Sequence, residues 1–270
     1  MGGPRGVCKH EAVVEVATRG AWVTDLDGVV WLAEQPIAGS AEAVARLREA
    51  GTRVCFVTNN AAPTVGELLE RLGSAGIEVT EGDLITSAQA AAAMLEPGST
   101  AVVCGDEGVT EALAARGVVV VDEAPADAVV VGWTRHFDFD RLAAAATAVR
   151  AGARFIGTNE DATHPTPAGL LPGAGAILAA VATAAQAQPE VAGKPHEPLV
   201  ELVRRRIGQV AMVVGDRPST DGLLARRLGV RFALVRSGVT RDGREPMVVE
   251  PDLDAPDLAT LVGEELGHGS

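Results

Sequence analysis

The stretch AWVTDLDGVV, residues 21–30, is an apolar β-run that breaks off into two aspartates one residue apart, Asp25 and Asp27, followed by Gly28. Open parallel sheets bind ligands in the crevice beyond the carboxyl ends of their strands, so both carboxylates are expected there. With one residue between them, they can take different roles at one site. Gly28 permits the tight turn that follows. On its own this pattern is also that of an ordinary Asp-rich strand-to-loop turn, so the remaining strand ends decide the reading.

Around this stretch, short apolar runs alternate with helix-period segments, the signature of βαβ units on a parallel sheet. Strands are expected at 21–24, 53–57, 101–103, 128–131, 154–157, 211–214 and 232–235. Ser40 is expected to cap a helix that Gly51 stops, and Thr64 with Glu67 forms a capping-box pattern. Further helices are expected over Phe139–Arg150, from Glu197 to Arg206 and from Thr220 to Leu228. The alanine-rich stretches 88–93, 142–148 and 176–187 read as helix, because alanine is the best helix former. The segment 1–19 and the tail from Gly263 carry too little signal to assign.

The chain has 270 residues, 47% of them hydrophobic, enough for a large α/β domain or a core with a smaller inserted one. It contains no apolar run long enough for a membrane span and no signal-like block before the first strand, so a cytoplasmic location is expected. The cysteines, Cys8, Cys55 and Cys104, lack metal-ligand spacing; Cys55 and Cys104 lie in strand-like runs and read as packing residues. A formal charge of −13 argues against nucleic-acid or anionic-membrane surfaces. A single phosphate needs only local compensation, which one lysine and a divalent cation can supply.

Three other strand ends carry chemistry. RVCFVTNN, residues 53–60, ends in Thr58, Asn59 and Asn60, whose hydroxyl and backbone N–H groups suit phosphate oxygens, although Thr-Asn-Asn is also good turn composition. Gly193-Lys194-Pro195 holds a lone ammonium in a rigid turn before a helix. In MVVGDRPSTD, residues 212–221, a strand ends in Asp216, with Asp221 five residues on. Such hard oxygen ligands suit magnesium.

In this order, Asp-x-Asp, Thr, Lys, then Asp with a second Asp, the chain resembles the haloacid dehalogenase-like phosphatases. Within them it resembles the branch of p-nitrophenyl, nucleotide, phosphoglycolate, glycerol-phosphate and pyridoxal-phosphate phosphatases. The resemblance spans about 20–261 and includes FIGTNEDATHPTPAGLLPGAGAI, residues 155–177. It implies a Rossmann-like parallel-sheet core, residues 17–84 and 188–262, carrying a large inserted α/β cap domain, residues 85–187. By the same resemblance Asp25 is the nucleophile and Asp27 the general acid/base. Thr58, Asn59 and Lys194 bind the phosphate. Asp25, Asp216 and the Asp27 backbone carbonyl hold Mg2+, with Asp221 supporting the metal site or the lysine. Asn159, Asp161 and His164, in the TNEDATHP loop, are the expected specificity residues of the cap, and Trp133 and His136 are weaker candidates. Gly173-Ala174-Gly175 superficially resembles a dinucleotide fingerprint but lacks its third glycine, and reads as a hinge and helix start.

The implied reaction is hydrolysis of a small phosphorylated metabolite through an aspartyl-phosphate. Glycerol 3-phosphate or 2-phosphoglycolate is the expected kind of substrate, since only 3% of residues are aromatic and tyrosine is absent. The alternatives are a nucleoside monophosphate, pyridoxal phosphate, or a non-catalytic phosphometabolite-binding role. Self-association into a homodimer through the cap is a further expectation. The chain departs from the family pattern at Ala61-Ala62-Pro63, where many relatives carry small hydroxyl residues and often an arginine.

Overall fold

In the computed structural model, the described residues are 20–33, 35–166, 169–242 and 246–267. The segment 1–19, with Cys8, lies outside them. Six strands form one sheet in the order Leu84–Thr86, Val54–Thr58, Ala21–Thr24, Val210–Gly215, Arg231–Val235, Leu253–Ala255, and every pair is parallel. Numbered along the chain, this is the 3-2-1-4-5-6 order of a doubly wound Rossmann sheet. The order reverses between Ala21–Thr24 and Val210–Gly215. Their carboxyl ends, which lead into Asp25 and Asp216, therefore flank the topological switch point.

Both faces of this sheet are covered. Val23, Cys55, Val57, Val213 and Leu234 pack into one buried cluster with Leu199, Val203 and Leu224. Trp22, Phe56, Met212 and Val235 pack into another with Leu47, Leu68, Leu72 and Leu258. Near-continuous apolar runs are what a parallel sheet buried on both faces requires.

A second parallel sheet has the order Glu190–Val191, Arg154–Gly157, Ala128–Val131, Thr100–Cys104, Val119–Val121. One face packs against the helices Phe139–Arg150 and Ala174–Ala185, through Val129, Val131, Ala145, Val149, Ile177 and Val181. Beside it, the antiparallel hairpin Thr163–Thr166 with Gly169–Pro172 extends the TNEDATHP loop.

Several local expectations hold and others do not. Thr64 and Glu67 make the reciprocal capping box of the helix Val65–Ser74. Ser40 is not a cap: Gly39 occupies that position, and the Ser40 hydroxyl is buried, donating to the Val29 carbonyl at 2.9 Å. The expected Thr220–Leu228 helix begins as a π-helical turn, Pro218–Gly222, before the α-helix Leu223–Leu228. Gly173 is the N-cap of the Ala174–Ala185 helix. The tail carries the helix Leu258–Gly267, which the sequence pattern does not announce. Cys55 and Cys104 are buried free thiols. Among the described residues, no helix is long and apolar enough to cross a membrane.

Candidate active site

The four quoted strand ends converge. Asp25 follows the Ala21–Thr24 strand, Thr58 ends its neighbour, Asp216 follows Val210–Gly215, and Lys194 enters from the loop before Glu197–Ile207. All four line one cavity of about 60 Å³, together with Asp27, Asn59, Asn159, Asp161 and His164. At the chain reversal after Asp27, Gly28 has φ +84, and a Cβ there would overlap the Asp216 carboxylate, so only glycine fits.

The electrostatic centre is Lys194, 3% exposed. Its Nζ lies 2.8 Å from Asp25 Oδ1 and 2.7 Å from Asp221 Oδ1. Burial works to lower the Lys194 ammonium, but the Asp221 and Asp25 carboxylates outweigh it and hold it above the ordinary lysine value. Asp221 is engaged at both oxygens, because its Oδ2 also accepts from the Arg217 N–H at 3.1 Å. Asp25 Oδ1 accepts from the Leu26 N–H at 2.7 Å as well as from the lysine.

Asp216 is different. Its Oδ2 accepts from the Val239 N–H at 2.7 Å, whereas Oδ1 is buried with no hydrogen-bond partner. Oxygens of Asp25, Asp216 and Asp221 lie within 4.8 Å of one another. Three carboxylates and one ammonium leave a deficit of two positive charges. Burial, with the neighbouring carboxylates, pushes Asp25 well up and Asp216 up to about 7. A divalent cation matches both this deficit and the unpartnered Asp216 oxygen, and the all-oxygen donor set suits magnesium.

Around this centre the polar side chains are assigned by their hydrogen bonds. Thr58 Oγ1 accepts from the Asn60 N–H at 3.0 Å, leaving its own proton for another acceptor. The Asn59 side chain is engaged within the protein: Oδ1 accepts from the Lys194 N–H at 2.8 Å, and Nδ2 donates to the Lys194 carbonyl and to Asp161, both at 3.2 Å. The Asn59 side chain is thus held within the protein, and the phosphate contact expected at this residue is one for its backbone N–H.

Asn159 is likewise committed. Its amide donates to the Asn59 carbonyl at 2.7 Å and accepts from the Asp161 N–H at 3.1 Å, so its side chain positions the loop. Asp161 is half-buried, and burial, partly opposed by Arg217 and Lys194, raises its carboxyl above the usual range. Asp27 accepts from the Trp31 indole N–H at 3.0 Å.

His164 stacks against Trp133 with ring centroids 4.7 Å apart, and both line the cavity. They also line a wider outer cleft of about 740 Å³ that Asp27 shares and that includes His136, Arg71, Arg135 and Arg141. The structure thus places His136 in the outer cleft and Trp133 at the junction. Sequence reading missed Arg217, Thr163 and Thr220 in the inner wall. Arg217 directly follows Asp216, and that adjacency was its available signal.

Two family models match the chain: haloacid dehalogenase-like hydrolase over residues 22–119, and HAD-hydrolase-like over 191–261, together more than half of it. The chain is 40% identical to the D-glycerol 3-phosphate phosphatase of Mycobacterium tuberculosis over 80% of its own length, and spans 62% of that relative. It is 33% identical to the acid sugar phosphatase of Staphylococcus saprophyticus over 90% of its length and 97% of that protein. The solved structure of a glycerol phosphate phosphatase from Mycobacterium tuberculosis in complex with magnesium superposes with a TM-score of 0.82 at 36% identity, covering 91% of this chain and 77% of that one. The 3-2-1-4-5-6 sheet, the convergent carboxylates and these matches agree, and the chain belongs to the haloacid dehalogenase-like hydrolases.

Proposed function

We propose that this chain is a magnesium-dependent phosphatase that hydrolyses small phosphate monoesters through an aspartyl-phosphate on Asp25. The observation that carries the reading is the buried Lys194 ammonium bridging Asp25 and Asp221 beside the unpartnered Asp216 oxygen, at the switch point of the sheet. Asp25, Asp216 and the Asp27 backbone carbonyl are the residues to hold Mg2+, with Asp221 fixing the lysine. When bound, the ion supplies charge neutralisation that lets a carboxylate approach a phosphate dianion.

The chain's own residues supply the rest. Thr58 Oγ1, the Asn59 backbone N–H and Lys194 Nζ bind and orient the phosphoryl oxygens. A carboxylate oxygen of Asp25 forms a bond to phosphorus as the bond to the leaving oxygen breaks, and Asp27 gives that oxygen its proton. Asp27 then takes a proton from water as the water oxygen attacks phosphorus. The Asp25–phosphorus bond breaks and inorganic phosphate leaves. Positioned proton transfer of this kind contributes ~10²–10⁴-fold.

The inner cavity of about 60 Å³ suits a phosphoryl group, which leaves the rest of the substrate to the junction with the outer cleft. There His164 and Asp161 read the leaving group, and the inserted unit built on the second sheet, residues 100–191, acts as the cap that excludes water; the expected bounds of 85–187 shift because residues 85 and 86 pair in the core sheet and Glu190–Val191 in the second. Glycerol 3-phosphate is the best-supported kind of substrate, in line with the glycerol phosphate phosphatases named above, and 2-phosphoglycolate stands beside it as a small acid phosphate. A nucleoside monophosphate or pyridoxal phosphate is the alternative that the Trp133 ring at the junction would favour. The reading also includes a cytoplasmic protein that pairs through its cap, where Phe139 and Leu170 are 79% and 63% exposed, and that has no nucleic-acid or membrane partner.

A phosphate-release panel with magnesium tests the activity, with Asp25→Asn as the control. The wild type should release phosphate from at least one small ester. Asp25→Asn should release none while unfolding at a comparable temperature. Tight binding of a phosphate ester without release by the wild type would instead indicate a binding protein, and strong residual turnover in Asp25→Asn would remove the covalent step.

A further inference from the structure

We infer that Trp31 is a positioning residue for Asp27, fixing which carboxyl oxygen carries the shuttled proton; the inference rests on the phosphatase reading above. Trp31 is 2% exposed, and its indole N–H donates to Asp27 Oδ1 at 3.0 Å. An indole nitrogen can only donate. The N–H is best matched by the unprotonated oxygen, the stronger acceptor, so it holds Oδ1 in that role and leaves Oδ2 to carry the proton that passes to the leaving oxygen and returns from water.

The ring that enforces this is held on several sides. It packs in the same buried cluster as Leu26, Val29, Leu68 and Leu72. The Arg71 guanidinium lies 4.3 Å from its ring centroid. The Trp31 carbonyl accepts from the Gly28 N–H at 2.6 Å, and its own N–H donates to the Leu26 carbonyl at 3.2 Å, so its backbone is pinned to the turn that bears Asp27. A cation over the indole face draws electron density from the ring and makes the N–H a better donor. Arg71 also lines the outer cleft, so this arrangement links the cleft wall to the acid.

A ring held this firmly prevents the Asp27 carboxyl from turning. A carboxyl free to rotate would spend part of its time with the protonated oxygen directed away from the leaving group. Poor leaving groups, which need the acid, would suffer; good ones would not.

The substitution that separates this from packing is Trp31→Phe, which keeps a ring under Arg71 and removes only the N–H and the second ring. On glycerol 3-phosphate, kcat should fall about 10- to 100-fold, a part of what a positioned acid supplies. On p-nitrophenyl phosphate it should change by less than about 3-fold, and KM should change little for either ester. In an Asp27→Asn background, Trp31→Phe should cause no further loss, because residues acting as one unit are non-additive. Equal losses on both esters, or losses that simply multiply in the double variant, would overturn the inference.

A readout independent of turnover comes from the indole resonances of the three tryptophans in 15N-labelled protein. Asp27→Ala should move the Trp31 indole signal more than those of Trp22 and Trp133; an unmoved signal would refute the contact. If the wild type releases phosphate from neither ester, the phosphatase reading fails, and this resonance alone decides the contact.

Discussion

Asp216→Asn should make the metal-free protein more stable at neutral pH, although it removes a charged side chain from the active site. In the wild type, burial and the Asp221 carboxylate raise the Asp216 carboxyl from 3.8 to about 7. About three pH units at about 1.36 kcal/mol each correspond to a penalty of about 4 kcal/mol for holding the anion in place. The sign follows from the folded state binding the proton more tightly than the unfolded state. The group's favourable contribution is complete below about pH 4 and is lost as pH rises to about 7. The amide oxygen can still accept from the Val239 N–H, and the NH2 group takes the place of the orphaned Oδ1, beside two carboxylates that can accept from it. Thermal unfolding in EDTA at pH 8 should therefore place the variant about 2–4 kcal/mol above the wild type. That is roughly 5–15 °C at the usual 2–4 °C per kcal/mol for chains of this size. At pH 5 the gap should shrink to less than half. Magnesium at a hundred times its dissociation constant should add about 2.7 kcal/mol to the wild type and little to the variant, which should be inactive. A variant less stable than the wild type in EDTA at pH 8, or a gap that ignores pH, would refute the assignment of Asp216 as the residue whose charge awaits a cation.

Lys194→Met removes the ammonium that bridges Asp25 and Asp221, so urea unfolding in EDTA should show a loss of about 3–5 kcal/mol, the usual consequence of breaking a buried ion pair; a loss below about 1 kcal/mol would show that the two carboxylates are not stranded without it. His164→Ala should change kcat/KM among phosphorylated metabolites by roughly 5- to 150-fold while p-nitrophenyl phosphate hydrolysis stays nearly constant, because one lost hydrogen bond to the leaving group is worth about 1–3 kcal/mol. A uniform loss across the panel would assign His164 to cap structure through its stacking on Trp133.

The fold was legible because parallel-sheet strands buried on both faces announce themselves. Ala21–Thr24, Ala128–Val131 and Arg154–Gly157 were read to the residue. What escaped were elements whose patterns are not their own. Leu84–Thr86 is three residues at the edge of the core sheet and is held there by pairing with Phe56–Thr58. Thr163–Thr166 contains a proline and is a strand only through its hairpin partner. Ser40 looked like a cap because short hydroxyl residues favour that position. The first turn there is instead anchored by Gly39 with φ +81, and the hydroxyl satisfies a buried carbonyl eleven residues away.

The site divides along the same physical line. Asp25, Asp27, Thr58, Lys194, Asp216 and Asp221 were found because each ends a strand or a turn that the sequence itself marks. Asn59 and Asn159 could not be read that way, since an amide can donate and accept and its role depends on what tertiary structure brings to it. Asn59 reaches Lys194 and Asp161 across 135 and 102 positions of chain, and its carbonyl accepts from both Ser87 and Asn159. One residue at the end of a core strand thus holds the backbone of Lys194 and the loop that carries Asp161 and His164. Because both grips are on a single side chain and its carbonyl, the loop cannot shift far without loosening the lysine. The position of the loop proposed to read the leaving group is thereby tied to the geometry of the proposed phosphate clamp.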